Sequence, residues 1–248
     1  MTVSSWQKLS ENALTAVSLA FPLQTLLIAV ATGTGVGMNA LLSRSLGERK
    51  FKEANKIGVN AAFLYFLSYL VFLILGFTIV KPFYASQIKG ADAEIMEMGI
   101  EYLSTVMIFS FGLLAQIYFE RLLTSTGKTL FSMTSQLCGA LTNIILDPIM
   151  IFVLGWGAAG AATATVIGNV CTDIFFVWFL IKKSKNLSVD PRGFHISRSE
   201  IGAVFAIGIP ASVTNLMQSI GIALTNRALL GFGDDKVAAM GIVMKINM

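Results

Sequence analysis

The sequence predicts an all-α membrane protein, a polytopic bundle of transmembrane helices with six complete spans and a truncated seventh. Of its 248 residues, 55% are hydrophobic and 13% are charged, and the mean hydropathy is +0.73. Soluble domains carry about 25% charged residues. The composition therefore argues against a soluble enzyme, a disordered protein and a nucleic-acid-binding protein. The second observation is the length of the apolar runs, since a helix needs about 20 apolar residues to cross the hydrocarbon core.

Six apolar runs approach or exceed that length. They do not alternate between apolar and polar residues as barrel strands do. Backbone amides inside a bilayer must pair within their own segment, so the runs predict helices. In chain order they are residues 12–43, 57–80, 102–119, 129–154, 158–181 and 201–230. A seventh run, residues 237–248, is too short to span a membrane.

The charged residues between the runs predict which helix ends face the cytoplasm. The connections after the first, third and fifth runs hold 12 of the 18 lysines and arginines. The positive-inside rule places these three connections in the cytoplasm. The connections that alternate with them hold six acidic residues and only three basic ones, Lys81, Lys89 and Lys236, so every connection agrees with alternate crossing.

This orientation also predicts that the chain is an internal piece of a longer protein. The first run then begins outside, although residues 1–11 are polar and have no apolar signal-peptide core. A preceding helix would bring the chain out of the cytoplasm. The alternative is a natural protein of this length whose last segment lies at the membrane interface.

Glycines and prolines predict local features of the helices. Gly33 and Gly37 are four residues apart and form a small-residue stripe suited to close helix packing. Residues 155–157, Gly-Trp-Gly, predict a tight external turn between the fourth and fifth runs. Pro22 and Pro210 lie inside the first and sixth runs, where each removes a backbone hydrogen bond. They are candidate hinges, with a static packing role as the equal alternative.

Asp147 is the strongest functional candidate among the residues. It interrupts the fourth run, and Asn143 precedes it by one helical turn, so both side chains share a helix face. A carboxylate in hydrocarbon is costly unless it faces the bundle interior or water and has partners. The pattern therefore predicts a proton or cation site, with a carboxyl that joins helices as the alternative. For Asp173, in the fifth run, the two interpretations stay equally open.

Several segments have the order and spacing of the helices of a known transporter family. They are residues 14–22, the Gly-x-Gly-x-Gly-Met-Asn segment 33–39, residues 43–47, the Asn-x-x-x-Asp-Pro segment 143–148, the Gly- and Ala-rich segment 155–165, and Gly-Ile-Pro-Ala at 208–211. Together they resemble helices two, five, six and seven of the MATE (multidrug and toxic compound extrusion) family. The resemblance covers almost the whole chain from Glu11.

The resemblance implies a fold and an activity. Family members have twelve helices in two lobes and export drugs and other organic cations in exchange for H⁺ or Na⁺. The chain would supply helices two to seven and half of helix eight. Residues 1–195 would form the N-terminal lobe without its first helix, and residues 196–248 the start of a truncated C-terminal lobe. Such a protein is not an enzyme and has no cofactor or metal site apart from the coupling ion. Its partners are small organic cations and the lipids of the inner (plasma) membrane, and nucleic acid is not among them.

The resemblance also implies a cation site in the N-terminal lobe. Asp147 is similar to the carboxylate that binds the coupling cation in the family. Asn143 and Thr165 match neighbours that line the same site, and Tyr102 matches a tyrosine of the fourth helix near it.

Three other functions stay open at this stage. A flippase for lipid-linked oligosaccharide, from the related superfamily, would favour a basic cavity, whereas the mid-helix charges here are mostly acidic. An integral membrane enzyme acting on lipids would need an Asp, His or Glu cluster near one interface, and the sequence has no Asp-x-x-Asp pair. The last alternative is a gene fragment that keeps the fold without transport.

Overall fold

The computed structural model describes residues 3–87, 93–183 and 197–230, and within these ranges the chain forms helices and no strand. The predicted all-α class is confirmed. The helices are α1 (Val3–Gly47), α2 (Phe51–Thr78), α3 (Val80–Gln87), α4 (Ala93–Ile108), α5 (Ser110–Ser125), α6 (Thr129–Pro148), α7 (Gly157–Lys183) and α8 (Arg198–Leu230). The predicted seventh run, residues 237–248, lies outside the described residues.

Five helical segments of this part of the chain are long and apolar enough to cross a membrane. They are Leu19–Gly47, Phe51–Thr78, Thr129–Ile151, Ala159–Leu180 and Arg198–Gln218. The sixth predicted span is a broken one, because α4 and α5 together pass the same test but meet at an angle of 43°.

The break between α4 and α5 was not predicted. The third apolar run, residues 102–119, reads across it without a glycine or proline at the break. At Phe109 the hydrogen bonding changes to the 3₁₀ type, because the Gly112 amide donates to the carbonyl of Phe109, three residues earlier, at 3.3 Å. The composition of the run therefore predicted its membrane-crossing character but not its bend.

A second break follows Pro148. Proline has no N–H and disturbs the helix that contains it, and here α6 passes into one π-helical turn, Ile149–Val153. The Leu154 amide closes this turn by donating to the Ile149 carbonyl at 2.9 Å. The predicted tight turn at residues 155–157 is confirmed, since Gly155 and Gly157 have φ of 68° and 53°. Both values lie in the left-handed region that glycine adopts without strain.

The two candidate hinge prolines lie inside continuous helices. Pro22 is an internal residue of α1 and Pro210 an internal residue of α8. Because the two breaks fall at Phe109 and Pro148 instead, the hinge role of Pro22 and Pro210 stays a prediction.

α1 lies at the centre of the bundle and contributes to both buried clusters. One cluster joins it to α2 and α5, where the largest side chains include Met38, Leu42, Tyr65 and Leu122. The other joins it to α2, α3 and α4 through Leu27, Phe72, Tyr84 and Leu103. The Tyr84 hydroxyl donates to the Ala16 carbonyl at 2.7 Å. Burial raises the pKa of Tyr84 to about 12, so this hydroxyl keeps its proton and its bond to α1.

The predicted small-residue stripe of α1 is confirmed by its packing against α8. A methyl group on Gly33 would overlap the Ser212 hydroxyl and come within 2.6 Å of the Gly208 carbonyl oxygen. A methyl group on Gly37 would overlap the Val204 carbonyl. The Ser212 hydroxyl also donates to the Ala29 carbonyl at 2.9 Å. The absence of side chains thus lets the two backbones approach closely.

Polar groups fix the ends of the helices at the face predicted to be cytoplasmic. Arg44 pairs with Glu48 at 3.0 Å, and the nearby Lys50 also contacts Glu48. These bonds, from Lys50 first and then Arg44, hold the pKa of Glu48 below its usual value. Farther along α2, the Asn60 amide donates to the Glu200 carboxylate at 2.8 Å and so ties α2 to the start of α8.

Candidate functional site

Asn143 and Asp147 form a hydrogen-bonded pair on α6. With its amide nitrogen turned toward the carboxylate, Asn143 donates to Asp147 Oδ1 at 3.0 Å and to Oδ2 at 3.3 Å. Both side chains are half-buried. The shared helix face inferred from their spacing is confirmed, and the carboxylate has the kind of partner that a membrane interior demands.

The position of Asp147 along the helix differs from the prediction. It was expected in the middle of its run, but it is the last residue before Pro148, at the end of α6 that the charge pattern places outside. Pro148 cannot donate to the Ile144 carbonyl four residues earlier, so this end of α6 also lacks one helical donor. The carboxylate therefore lies where the helix changes geometry.

A cavity of about 640 Å³ opens between α5, α6 and α7, and Asn143 lines it. Three further amide side chains line it, namely Gln116, Gln136 and Asn169. Within the described chain, Gln116 Oε1 is buried and has no hydrogen-bond partner. Asn143 thus lies between an amide-lined cavity and the Asp147 carboxylate.

These additional amides were missed by the sequence analysis, although a signal existed. Gln136 precedes Asn143 by seven residues, which is two helical turns, so the two amides recur on the face of α6 that carries Asp147. Gln116 and Asn169 come from other helices. Their proximity depends on how α5 and α7 pack, and spacing along one helix cannot predict it.

Glycines set the distance between α6 and α7 at this site. A methyl group on Gly168 would lie 3.1 Å from the Gly139 carbonyl oxygen and 3.5 Å from Asn143 Cβ. On the outer side, a methyl group on Gly160 would lie 2.8 Å from the Met150 carbonyl oxygen. The glycines let α7 approach closely enough to support Asn143 from the side.

The other two predicted site residues have their own partners. Thr165 is exposed on α7, and its hydroxyl donates to the Ala161 carbonyl at 2.9 Å. The Tyr102 hydroxyl accepts a hydrogen bond of 2.9 Å from the Gln24 amide, which links α4 to α1. In the part of the chain that the structure describes, these bonds do not involve Asp147. Thr165 and Tyr102 as site residues therefore stay a prediction, and Gln24 is a partner that the sequence did not indicate.

Asp173 lies in a different cavity, between α2, α5 and α7. The described residues contain no cluster of three or more His, Cys, Asp and Glu side chains that could hold a metal ion. The arrangement on α6 is instead one carboxylate that accepts hydrogen bonds from one amide.

Comparison with known proteins decides the family. The family model MatE matches residues 1–149. The chain belongs to the MatE family. The resemblance to this family is therefore confirmed. The prediction of a polytopic membrane protein is confirmed as well.

Two curated relatives show the extent of the match. The MatE chain is 29% identical over 244 residues to the multidrug export protein MepA of Staphylococcus haemolyticus (strain JCSC1435), which covers 96% of the chain and 52% of that protein. It is 26% identical over 233 residues to MepA of Staphylococcus aureus (strain MSSA476), covering 94% of the chain and 51% of that protein. The chain spans about half the length of these relatives.

Solved structures of MatE relatives have the same fold. An inward-facing multidrug resistance MATE family transporter of the MOP superfamily superposes with a TM-score of 0.80 at 28% identity, over 96% of this chain and 56% of that one. An outward-facing one gives a TM-score of 0.84 at 29% identity, over 93% and 51%. A MOP superfamily transporter from Pyrococcus furiosus gives 0.86 at 29% identity, over 98% and 54%.

Proposed function

We propose that this chain is part of a secondary active antiporter that exports drugs or other organic cations in exchange for H⁺ or Na⁺. The observation that carries the proposal is the Asn143–Asp147 pair, held in a membrane helix beside an amide-lined cavity. The similarity to multidrug export proteins supports drug export over the oligosaccharide flippase. The proposal includes two further points. The N-terminal lobe ends at residue 195 and the C-terminal lobe begins at residue 196, and the protein lies in the inner membrane.

The Asn143–Asp147 pair can respond to either coupling ion by a change in the orientation of the Asn143 amide. Facing a free carboxylate, Asn143 presents its nitrogen and donates to both oxygens of Asp147. A proton on Asp147 would remove the negative charge that holds this bond. For Na⁺, the amide would turn and present its oxygen, so that the amide and carboxylate oxygens bind the cation together.

Thr165 and Tyr102 can complete this site when the helices move. The Thr165 proton is used on the Ala161 carbonyl, so the oxygen keeps lone pairs for a cation. The Tyr102 oxygen accepts from Gln24, so its own proton can still be donated to a carboxylate. We assign Thr165 as a cation ligand and Tyr102 as a donor in the ion-loaded state.

Ion binding then changes how α6 packs. Loss of the charge on Asp147 weakens its hydrogen bonds with Asn143. Asn143 packs against α7, because its Cβ lies only 3.5 Å from the position that a Cβ on Gly168 would take. A ligand shifts a conformational equilibrium only by its different affinity for the two states. Here the two states are the ones with Asp147 charged and with the ion bound. Their affinities for the ion differ because each state needs a different position of the Asn143 amide between α6 and α7.

The test is transport in proteoliposomes that contain the complete protein. Ethidium serves as the organic cation, and a pH gradient or a Na⁺ gradient is imposed separately. We expect one gradient to drive ethidium movement and Asp147→Asn to reduce that movement at least tenfold. Glu97→Gln is the matched control, because it removes the same charge from an exposed side chain of α4. Gradient-driven movement that survives in Asp147→Asn would overturn the proposal.

A further inference from the structure

A second cavity, of about 670 Å³, lies between α2, α5 and α7, away from the Asn143–Asp147 pair. Apart from Asp173, its lining consists of aliphatic and aromatic side chains. The aromatic ones are Tyr65, Phe66, Phe111, Tyr118, Phe119 and Trp178. One carboxylate in an aromatic cavity is a chemically specific combination that the proposed transport mechanism does not use.

Within the described chain, one oxygen of the Asp173 carboxylate lacks a partner. Its Oδ1 atom is buried and accepts no hydrogen bond within the described residues. Ion pairs at the predicted cytoplasmic helix ends join Arg44, Glu48, Lys50 and Glu53, and none of these pairs includes Asp173. A buried acceptor without a partner is costly, so a ligand that supplies positive charge would be favoured here.

The two tyrosines of the cavity do not donate a hydrogen bond to Asp173. The Tyr65 hydroxyl donates to the Ala31 carbonyl at 2.8 Å, and the Tyr118 hydroxyl donates to the Gly58 carbonyl at 3.1 Å. Both bonds tie the cavity walls to other backbone segments. The tyrosines thus contribute ring surface to the cavity, while their protons are used elsewhere.

The aromatic walls can contribute to binding a cation. Tyr65 and Tyr118 meet edge to face with ring centroids 5.7 Å apart. At the predicted cytoplasmic rim, the Lys182 ammonium lies 4.7 Å from the centre of the Trp178 ring. Trp178 therefore already makes a cation–π contact in this structure. Such contacts favour cations with spread charge that have little hydration to lose.

The depth of Asp173 selects between an organic cation and a lipid head group. Asp173 is about 5 Å along the helix axis from the middle of the span Ala159–Leu180. Head groups begin about 15 Å from the bilayer centre, because the hydrocarbon core is about 30 Å thick. The amine of a lipid head group therefore lies too far from this carboxylate, whereas a lipophilic cation dissolved in the bilayer reaches that depth.

Among the described helices, the cavity opens at the side of the bundle. Phe66 is 52% exposed and Phe111 is 56% exposed, and both line it. We propose that this cavity is a second binding site, for a lipophilic organic cation that approaches through the bilayer, with Asp173 as its counter-charge. Binding here needs neither Asp147 nor a transport cycle, so it can be tested separately from the proposed antiport.

The test uses two photoreactive probes of equal shape on the complete protein in lipid nanodiscs. One is tetraphenylphosphonium with a diazirine group, and the other is the uncharged tetraphenylmethane with the same group. Cross-links are located by peptide mass spectrometry. We expect the phosphonium to label Phe66, Phe111 and Trp178, and to label them at least tenfold less in Asp173→Asn. Asp173→Glu, which keeps the charge, should retain the labelling.

The uncharged probe should label these positions weakly and to the same extent in the wild type and Asp173→Asn. Equal phosphonium labelling of the wild type and Asp173→Asn would overturn the proposal, as would strong labelling by the uncharged probe. If Asp173→Asn does not fold, Ala115→Trp decides the question, because it keeps the carboxylate and fills the cavity. Phosphonium labelling that persists in a folded Ala115→Trp variant would also overturn it.

Discussion

The α1–α8 and α6–α7 crossings use the same small-residue arrangement and have different surroundings. In each, a glycine of one helix faces a glycine of the other, and a hydroxyl side chain follows the second glycine by four residues. The sets are Gly33 with Gly208 and Ser212, and Gly139 with Gly168 and Thr172. A spacing of four places the glycine and the hydroxyl on one helix face at the contact.

The hydroxyl groups make the difference. Ser212 donates across the interface to the Ala29 carbonyl of α1 at 2.9 Å. Thr172 donates at 2.9 Å to the Gly168 carbonyl of its own helix. One crossing is therefore joined by a hydrogen bond between helices. The Thr172 hydroxyl does not bond across the other crossing, which has the amide-lined cavity beside it. Close approach thus accompanies a hydrogen-bonded interface in one case and a helix pair beside an amide-lined cavity in the other.

The strongest way to break the α1–α8 crossing is Gly37→Ala. Its methyl group would overlap the Val204 carbonyl, which is backbone and can yield only if α8 moves. We expect a loss of about 1–3 kcal/mol of stability, the usual cost of overpacking, measured by thermal unfolding in detergent. Gly58→Ala is the control, because its methyl group would meet only the end of Leu122, at 3.8 Å. Equal unfolding temperatures for the two variants would contradict the described contact.

Gly168→Ala tests whether the α6–α7 crossing matters more for the proposed ion site than for stability. The methyl group would press on the Gly139 carbonyl oxygen at 3.1 Å and touch Asn143 Cβ at 3.5 Å. We expect gradient-driven ethidium transport to fall several-fold, while stability drops less than in Gly37→Ala. Gly202→Ala, with nothing within 4 Å of the added methyl group, should change neither. Unchanged transport in Gly168→Ala would show that the α6–α7 contact does not affect the proposed ion site.

The smallest expected effect distinguishes the two hydroxyl groups. Ser212→Ala removes the bond between helices, and such bonds in membranes contribute about 0.6 kcal/mol. Thr172→Val removes a hydroxyl bonded within its own helix and should change stability by less. Denaturant unfolding in mixed micelles would compare the two variants. A larger loss in Thr172→Val than in Ser212→Ala would show that the comparison of the crossings is wrong.

Features that depend on one segment were predicted from the sequence. The length of the apolar runs predicted the spans, the spacing of Gly33 and Gly37 predicted a packing face, and the spacing of Asn143 and Asp147 predicted their shared helix face. Each follows from the period of the helix and the demands of the bilayer. The position of Asp147 near the helix end was not predicted, because the apolar run continues beyond Pro148 into the π-helical turn.

Features that depend on several segments were not predictable in this way. Gln116 and Asn169 reach the amide-lined cavity only through the packing of α5 and α7. The Gln24–Tyr102 bond and the Asn60–Glu200 bond join residues 78 and 140 positions apart. The bend at Phe109 has no glycine or proline to mark it. These features need the tertiary arrangement, which local spacing does not contain.

The central claim is that the Asn143–Asp147 pair binds the coupling ion, and infrared difference spectroscopy tests it most directly. Spectra of the complete protein would be compared with and without Na⁺, and between acid and neutral pH. A carboxyl band should respond to the coupling ion, disappear in Asp147→Asn and shift in Asn143→Leu, which leaves the carboxylate without its donor. An ion-induced spectrum that is unchanged in Asp147→Asn would place the coupling ion elsewhere and contradict the account.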